Sequence, residues 1–389
     1  MTEVGVAGVG LTPFRQTPER TGRDLFAEAA SAAIADADVD REAVDHVNVG
    51  NFMGELAEHQ GHLGPLLAEA AGVDAPATRF DAACAASGTA IRAAVARIRA
   101  GMSDVVLVGG VERMTNLGTG GATDALAIAA DDLWEVRAGM TFPGAYALMA
   151  RAYMETHGGD RTDLAHVAVK NHAHATANEY AQYRQEISVS DVLEAPTIAD
   201  PIGLYDACPI TDGASAVVLA SADAASRLDL EVPVVITGSG QGGDRMALHD
   251  RDALVETPAA RSAAREAYDD AGIESTEVDV AEVHDCFTIA EVLALEALGF
   301  EDRGEGISAA REGRTTATGP LPVNLSGGLK AKGHPVGATG TAQVVEVTRL
   351  LRGDHPNAEY VPDASVGLAH NAGGTVASAT VHVLEGVDR

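Results

Sequence analysis

A segment near the N-terminus recurs in the second half of the chain, and this repetition constrains the architecture more than any other feature. Residues 21–52, "TGRDLFAEAASAAIADADVDREAVDHVNVGNF", are echoed by residues 255–287, "VETPAARSAAREAYDDAGIESTEVDVAEVHDCF". Each holds an Ala-rich helical stretch, an acidic turn and a Val-alternating strand. Asp36-Ala37 returns as Asp270-Ala271 and Val44-Asp45 as Val278-Asp279, both 234 residues on. A second echo sets "CAASGTA" from Cys84 against "VGATGTA" from Val336, 252 residues later, each opening a helix that closes near Gly101 or Gly353. Chance likeness of Ala-rich helices would not keep two matched segments in the same order, so the chain reads as an internal duplication.

Each half alternates strand and helix, which predicts an α/β fold with a largely buried sheet. The strands expected in the first half are Val4–Val9, Val44–Asn48, Val105–Val108 and Ala216–Ala220. Their partners are Val232–Thr237, Val278–Val283, Ser365–Ala369 and Val376–Val383. A stretch from about Thr115 to Pro201 is richer in Met, His and Tyr and has no counterpart in the second half. It reads as an inserted subdomain suited to holding a substrate. The division is residues 1–228, including the insertion at about 115–201, and residues 229–389.

Acidic residues number 57 against 27 basic ones, a formal net charge of −30. The acids are scattered, as on a solvated surface, and lysine occurs only at positions 170, 330 and 332. That balance suits solubility in concentrated salt, a halophilic profile, and opposes binding to nucleic acid. The N-terminus lacks a cationic leader and no apolar run approaches a membrane span, so a soluble cytoplasmic protein is expected. Three cysteines without a C-x-x-C pair support neither a disulfide framework nor a zinc site. His59 with His62, and His172 with His174, have metal-like spacing without further ligands, and no metal is expected. Gly8 and Gly10 suggest a dinucleotide loop, but Pro13 stands where a third glycine belongs; close packing of the first strand explains them better.

In "FDAACAASGTAI" a strand runs into a helix whose Ile91, Val95 and Ile98 form one inward face. Cys84 falls at or just before the helix N-terminus, where unpaired N–H groups and the dipole stabilise a thiolate and are expected to lower its pKa. "EVHDCFTIAE" places His284, Asp285 and Cys286 at a strand end, and "NLSGGLKAKGHPVGATG" places His334 on a glycine-rich turn. Duplicated strand ends converge on one crevice, so a nucleophile and two histidines are expected to meet there. Cys208 reads as structural. Lys330 and Lys332 lie beside His334, as a solvated turn or as contacts to a phosphate.

"DAACAASG", "HDCF" and "NLSGGLKAKGHPVGATG", with "HNAGG" near the C-terminus, resemble a thiolase over essentially the whole chain. The likeness is to the branch of sterol-carrier-protein-x and archaeal acetoacetyl-CoA thiolases. It implies the duplicated five-layered αβαβα thiolase fold, a homodimer or homotetramer, and coenzyme A thioesters as substrates with no permanently bound cofactor. Cys84 resembles the acyl-accepting nucleophile, and His334 the base that activates it and helps form an oxyanion hole. Better-known thiolases have Asn where His284 stands and a second cysteine near "HNAGG"; here Cys286 resembles the second acid/base and His284 replaces the Asn. The likeness further implies a substrate- or CoA-lining set of Met140, Ser326, Lys332, Asn371 and Gly373, with His370 beside it. It also implies, as partners, a small zinc-ribbon/OB-fold protein and 3-hydroxy-3-methylglutaryl-CoA synthase, the latter placing the chain in the mevalonate pathway.

The chemistry fits these residue types. One thioester replaces another on Cys84, a second thiol moves the α-proton, and preorganised donors hold the oxyanions. Other readings stay open: a decarboxylating ketoacyl synthase with Cys84, His284 and His334 as its Cys-His-His set; an aldolase- or dehydratase-like relative, although those tend to lose the nucleophilic cysteine; and a non-catalytic lipid- or acyl-CoA-binding subunit.

Overall fold

The repetition in sequence is repeated in strand order. In a computed structural model that describes residues 3–387, the first half runs β1 (Val4–Leu11), α1 (Gly22–Asp36), β2 (His46–Gly50), α2 (Gly54–Ala57), α3 (Leu63–Ala70), β3 (Ala77–Phe80), α4 (Ala86–Arg99) and β4 (Val105–Glu112). Then come α5 (Gly118–Ala127), α6 (Phe142–His157), α7 (Arg161–Ala175), α8 (Val189–Glu194) and the short pair β5 (Thr197–Ala199) and β6 (Ile202–Gly203). The half closes with β7 (Gly213–Ser221) and α9 (Ala222–Leu228). The second half runs β8 (Val234–Gly243), α10 (Pro258–Ala271), β9 (Val280–Glu282), α11 (Thr288–Ala297), α12 (Gly306–Ala309), α13 (Gly328–Ala331), α14 (Thr339–Arg352), β10 (Val366–Gly373) and β11 (Ser378–Gly386).

From a shared seam, one half reads β1-β7-β4-β2-β3 and the other β8-β11-β10-β9, with a bridge from Ala281 to Val323 where a fifth strand would lie. The seam is a short antiparallel pairing of Val4–Val6 with Val234–Ile236. β2 is parallel to β3 and β4, and β9 to β10. Parallel pairing obliges the chain to cross over through a helix, so the active strand ends of each half point the same way.

Three apolar cores define the layers. α1 and α3 cover the outer face of the first half through Leu25, Phe26 and Leu67. α10 and α11 cover the second half through Ala263, Ala267 and Leu295. Between them, Ile91, Val95 and Ile98 of α4 share one core with Val344, Val345 and Val347 of α14, against strands of both halves. The result is the five-layered αβαβα arrangement.

The duplication extends to single atoms. A methyl on Gly10 would run into the Ala29 carbonyl and one on Gly8 into that of Ala33; Gly240 and Gly238 meet Ala263 and Ala267 in the same way. Helix backbone thus lies directly on strand backbone, which accounts for the N-terminal glycines without a nucleotide. Asp36 accepts from Val9 N–H at 2.9 Å and Asp270 from Ser239 N–H at 3.0 Å. Each acid then pairs with an arginine from the other half's central helix, Arg352 to Asp36 at 2.7 Å and Arg99 to Asp270 at 2.6 Å.

All eight expected strands form. β3 is the strand expected to run into the Cys84 helix; its Ala-Thr-Arg-Phe run is only half-buried at the sheet edge, so it lacks the apolar signature of the others.

Candidate active site

Four loops meet where the strand ends and central helices converge. The segment after β3 carries Cys84 into α4, the one after β9 carries His284 and Cys286 into α11, the turn before α14 carries His334, and the turn after β10 carries Gly374. The Cys84 loop is fixed locally. Asp81 accepts from Ala83 N–H at 2.9 Å, Ala83 takes a left-handed φ of 50°, and Ala85 N–H closes onto the Ala82 carbonyl at 3.0 Å. A left-handed alanine costs about 1–2 kcal/mol. It turns Cys84 sharply just ahead of α4.

The Cys84 sulfur and one ring nitrogen each of His284 and His334 all lie within 4.8 Å of one another. The two rings meet edge to face with centroids 5.0 Å apart. Their hydrogen bonds set opposite tautomers. Thr339 commits its hydroxyl proton to the Pro335 carbonyl at 3.0 Å, so His334 Nδ1–H donates to the Thr339 oxygen at 2.7 Å. His334 Nε2 is therefore a bare lone pair, and it is buried without another partner. The Asn371 amide donates to His284 Nδ1 at 3.2 Å, leaving His284 Nε2–H as a donor that is also unpartnered. One histidine offers an acceptor and the other a donor beside the cysteine. This donor–acceptor pair marks a proton-transfer site, which three equivalent metal ligands would not require.

Burial decides the resting protonation. It pushes the Cys84 thiol up to about 12, with the Glu112 carboxyl adding to the rise and the Gly374 N–H opposing it. It drives His334 down to about 3 and His284 well below the usual imidazole range. The expected lowering of the Cys84 pKa is therefore corrected. Desolvation outweighs the helix N-terminus, and the site rests as neutral thiol and neutral imidazole.

Cys286 is buried, and burial with the nearby thiols of Cys208 and Cys84 raises its pKa well above the thiol norm. Cys208, expected to be merely structural, donates its backbone N–H to the Cys286 carbonyl at 3.0 Å. Met140 lies in the apolar cluster that includes Cys286 and Phe287. With Ala127, Ala130, Phe142, Ala145 and Thr375 it lines a shallow recess. Asn371 and His370 are buried at the site, His370 accepting from the His284 N–H at 3.4 Å.

Two expected lining residues are committed elsewhere. Ser326 gives its hydroxyl to Glu282 at 2.6 Å, and Lys332 pairs with Glu346 at 3.2 Å over the Phe14 ring. Both are fully buried, because the turn they flank is packed against the protein rather than solvated. Gly373 packs against Ala82, and it is the next residue, Gly374, whose N–H reaches the Cys84 sulfur.

Sequence reasoning missed three residues. Glu112, at the end of β4, accepts from the Phe52, Met53 and Gly337 N–H groups at 2.8, 3.0 and 3.1 Å, tying two site loops together. Thr339 orients His334; its proximity to the motif was the available signal. Tyr146 gives its hydroxyl to the Gly374 carbonyl at 2.9 Å from the distant helix α6, and no local pattern distinguishes it.

Known proteins match this chain along nearly its whole length. The family model for the thiolase N-terminal domain matches residues 4–223, and that for the thiolase C-terminal domain-like family matches residues 240–386. The chain is 42% identical to an acetyl-CoA acetyltransferase of Methanothermobacter thermautotrophicus over 384 residues, covering 98% of this chain and 99% of the relative. Among solved structures, the Ltp2-ChsH2(DUF35) aldolase is similar with a TM-score of 0.82 and 26% identity, covering 99% of this chain and 98% of that one. Human mitochondrial 3-ketoacyl-CoA thiolase in complex with CoA shares the fold with a TM-score of 0.78, at 18% identity, over 100% and 98% of the two chains.

Proposed function

Since the chain belongs to the thiolase family, we propose that it is an acyltransferase that joins or cleaves 3-ketoacyl-CoA, acetoacetyl-CoA foremost, through an acyl group carried on Cys84. The observation that carries the reading is the meeting of the Cys84 sulfur with one ring nitrogen each of His334 and His284 within 4.8 Å, both rings keeping an unpartnered Nε2. As Cys84 attacks a thioester carbonyl, its proton passes to His334 Nε2. The N–H groups of Cys84 and Gly374 converge on the sulfur and supply donors for the oxyanion beside it. The departing CoA thiolate takes a proton from Cys286, leaving a thiolate there and an imidazolium at His334. Incoming acetyl-CoA gives its α-proton to Cys286, and His284 Nε2–H supports the enolate oxygen. The carbanion attacks the acyl carbonyl on Cys84, the tetrahedral adduct expels the Cys84 thiolate, and His334 returns its proton. Both thiols and both imidazoles regain their starting states, so the cycle closes. A decarboxylating synthase needs no second thiol base, so Cys286 favours the thiolase reaction.

The two duplicated halves, residues 1–228 and 229–389, fit two thiolase domains, with the segment at about 115–201 as the substrate-side insertion. The half-buried edge strand β3, in a sheet whose other strands are largely covered, supports a homodimer or dimer of dimers. A zinc-ribbon/OB-fold partner is supported by the similar aldolase, which is named together with ChsH2(DUF35). A place beside 3-hydroxy-3-methylglutaryl-CoA synthase, in the mevalonate pathway, fits an acetoacetyl-CoA product. No helix among the described residues is long and apolar enough to cross a membrane, and a cytoplasmic setting accords with that. All three lysines are buried, so the lysine positive charge is absent from the surface, in keeping with a halophilic protein. A thiolysis assay with acetoacetyl-CoA and longer 3-ketoacyl-CoA tests the function. CoA-dependent cleavage of acetoacetyl-CoA is expected, and failure to cleave any chain length would overturn it.

A further inference from the structure

Tyr146 is fully buried in one cluster with Cys286 and Phe287, and both reacting thiols are near its hydroxyl, although the chemistry above assigns it nothing. It donates to the Gly374 carbonyl at 2.9 Å and is within hydrogen-bonding reach of the Cys286 sulfur. The Gly374 N–H, on the other side of the same residue, bonds the Cys84 sulfur. The sequence of contacts is therefore Cys84 sulfur, Gly374 amide, Gly374 carbonyl, Tyr146 hydroxyl, Cys286 sulfur. The Tyr146 ring is clamped against Phe287, centroids 4.6 Å apart and planes inclined by 25°, so the hydroxyl oxygen is held in place while its O–H remains able to turn.

A phenol has one proton and cannot donate it in two directions. While Cys286 is a thiol, Tyr146 donates to Gly374 and its oxygen accepts from the S–H. Once Cys286 has lost its proton, a charge-assisted bond to the sulfur outweighs the neutral one to the carbonyl. We propose that Tyr146 is a positioning residue for the second half-reaction, turning its O–H from the Gly374 carbonyl to Cys286 whenever that sulfur is ionised. No heavy atom moves and no proton is transferred from Tyr146; only the bond direction changes. The inference rests on the reading of Cys286 as the acid/base.

The other groups around Cys286 leave this role open. Cys84, Cys208 and Asp285 all oppose charge on the sulfur, while Lys330 is the cation near enough to favour it. The Lys330 ammonium is itself buried and has no hydrogen-bond partner among the described residues. Tyr146 is thus the neutral donor able to turn to the sulfur, and one hydrogen bond to a charged group is worth about one to two pH units of its ionisation.

The test uses Tyr146→Phe in the full chain, which keeps the ring and its stacking. Exchange of acetyl-CoA α-protons into D₂O is measured against pH beside the rate of Cys84 acetylation. The expected result is an exchange rate lower by about 10- to 100-fold at neutral pH, with its profile moved about one to two units upward, and acetylation slowed much less, because His334 can supply the leaving group's proton in place of Cys286. A profile that stays in place, or equal losses in exchange and acetylation, would overturn the proposal. Cys286→Ala separates the two ideas: normal exchange in that variant would remove the acid/base reading itself. Should Tyr146→Phe fold poorly, the native chain with its seven tyrosines replaced by 3-fluorotyrosine gives a stronger donor. Its exchange profile is then expected to move to lower pH, and an unmoved or raised profile counts against the proposal.

Discussion

Replacing Thr339 by valine removes one oxygen and tests the tautomer on which acylation depends. In the native site His334 Nδ1–H has a single acceptor, the Thr339 hydroxyl at 2.7 Å. Valine is nearly isosteric, and the Pro335 carbonyl released by the change keeps the Ala338 N–H at 2.9 Å, so the loop itself should hold. The loss falls on the ring: a buried donor left unpaired costs about 1–3 kcal/mol. The ring relieves it by moving its proton to Nε2, where it can no longer accept from Cys84. At about 1.4 kcal/mol per tenfold in rate, acylation should slow by roughly 10- to 100-fold. The assay is single-turnover acetylation of Cys84 by acetyl-CoA, followed by intact mass. Thr339→Ser retains the acceptor and should stay within a few-fold of native. Native-rate acylation by Thr339→Val would refute the tautomer argument, as would an equal slowing of Thr339→Ser.

Rising KCl should raise the thermal midpoint, because screening relieves repulsion in a chain of net charge −30; a flat or falling series would contradict it. Gly240→Ala should destabilise by about 3 kcal/mol or more, since its methyl has nowhere to go but the Ala263 carbonyl, whereas Gly101→Ala, open to solvent, should cost about 1 kcal/mol through its left-handed φ; urea midpoints compare them. Acid should also unfold the protein. Burial holds His172, His370 and His382 at about 4, His174 and His334 at about 3, and His284 well below 6.5. The unfolded chain binds these protons first, so their stabilisation is complete above pH 6.5 and is lost as pH falls toward 4. Glu112, Asp285 and Glu282 are shifted upward by burial and oppose this. The lowered histidines outnumber the raised carboxyls, so stability falls as pH drops below 6.5. Urea midpoints at pH 7 and pH 5 decide it, and equal values would argue against buried neutral histidines.

Much of the fold was legible because duplication and periodicity are local properties of a sequence. Asp36 and Asp270 show the repeat as plainly in letters as in hydrogen bonds. Cys84, His284 and His334 could be brought together because each ends or begins an element whose layer the repeat fixes. The thiol's protonation was not legible: the helix N-terminus can be read from "AASG", but the burial that outweighs it comes from other loops, where Met53, Met114 and Val336 form one apolar cluster with Cys84. Lys332 was expected to line the coenzyme A site, on a turn either solvated or touching a phosphate; its pairing with Glu346 lies across a packed turn that the letters do not disclose. Tyr146 was invisible for the same reason, since nothing in α6 says that its ring meets Phe287 and its hydroxyl meets Gly374.

The account stands most directly on the separation of two half-reactions between two cysteines. Cys286→Ala and Cys84→Ala proteins, each incubated with acetyl-CoA in D₂O, can be read by peptide mass and by deuterium in the recovered acetyl-CoA. Cys286→Ala is expected to carry an acetyl group on the peptide containing Cys84, with His334 supplying the leaving group's proton, and to exchange no α-protons. Cys84→Ala is expected to remain unacetylated. Acetyl found on Cys208 or Cys286 instead, or native exchange and thiolysis by Cys286→Ala, would contradict the assignment of the two thiols.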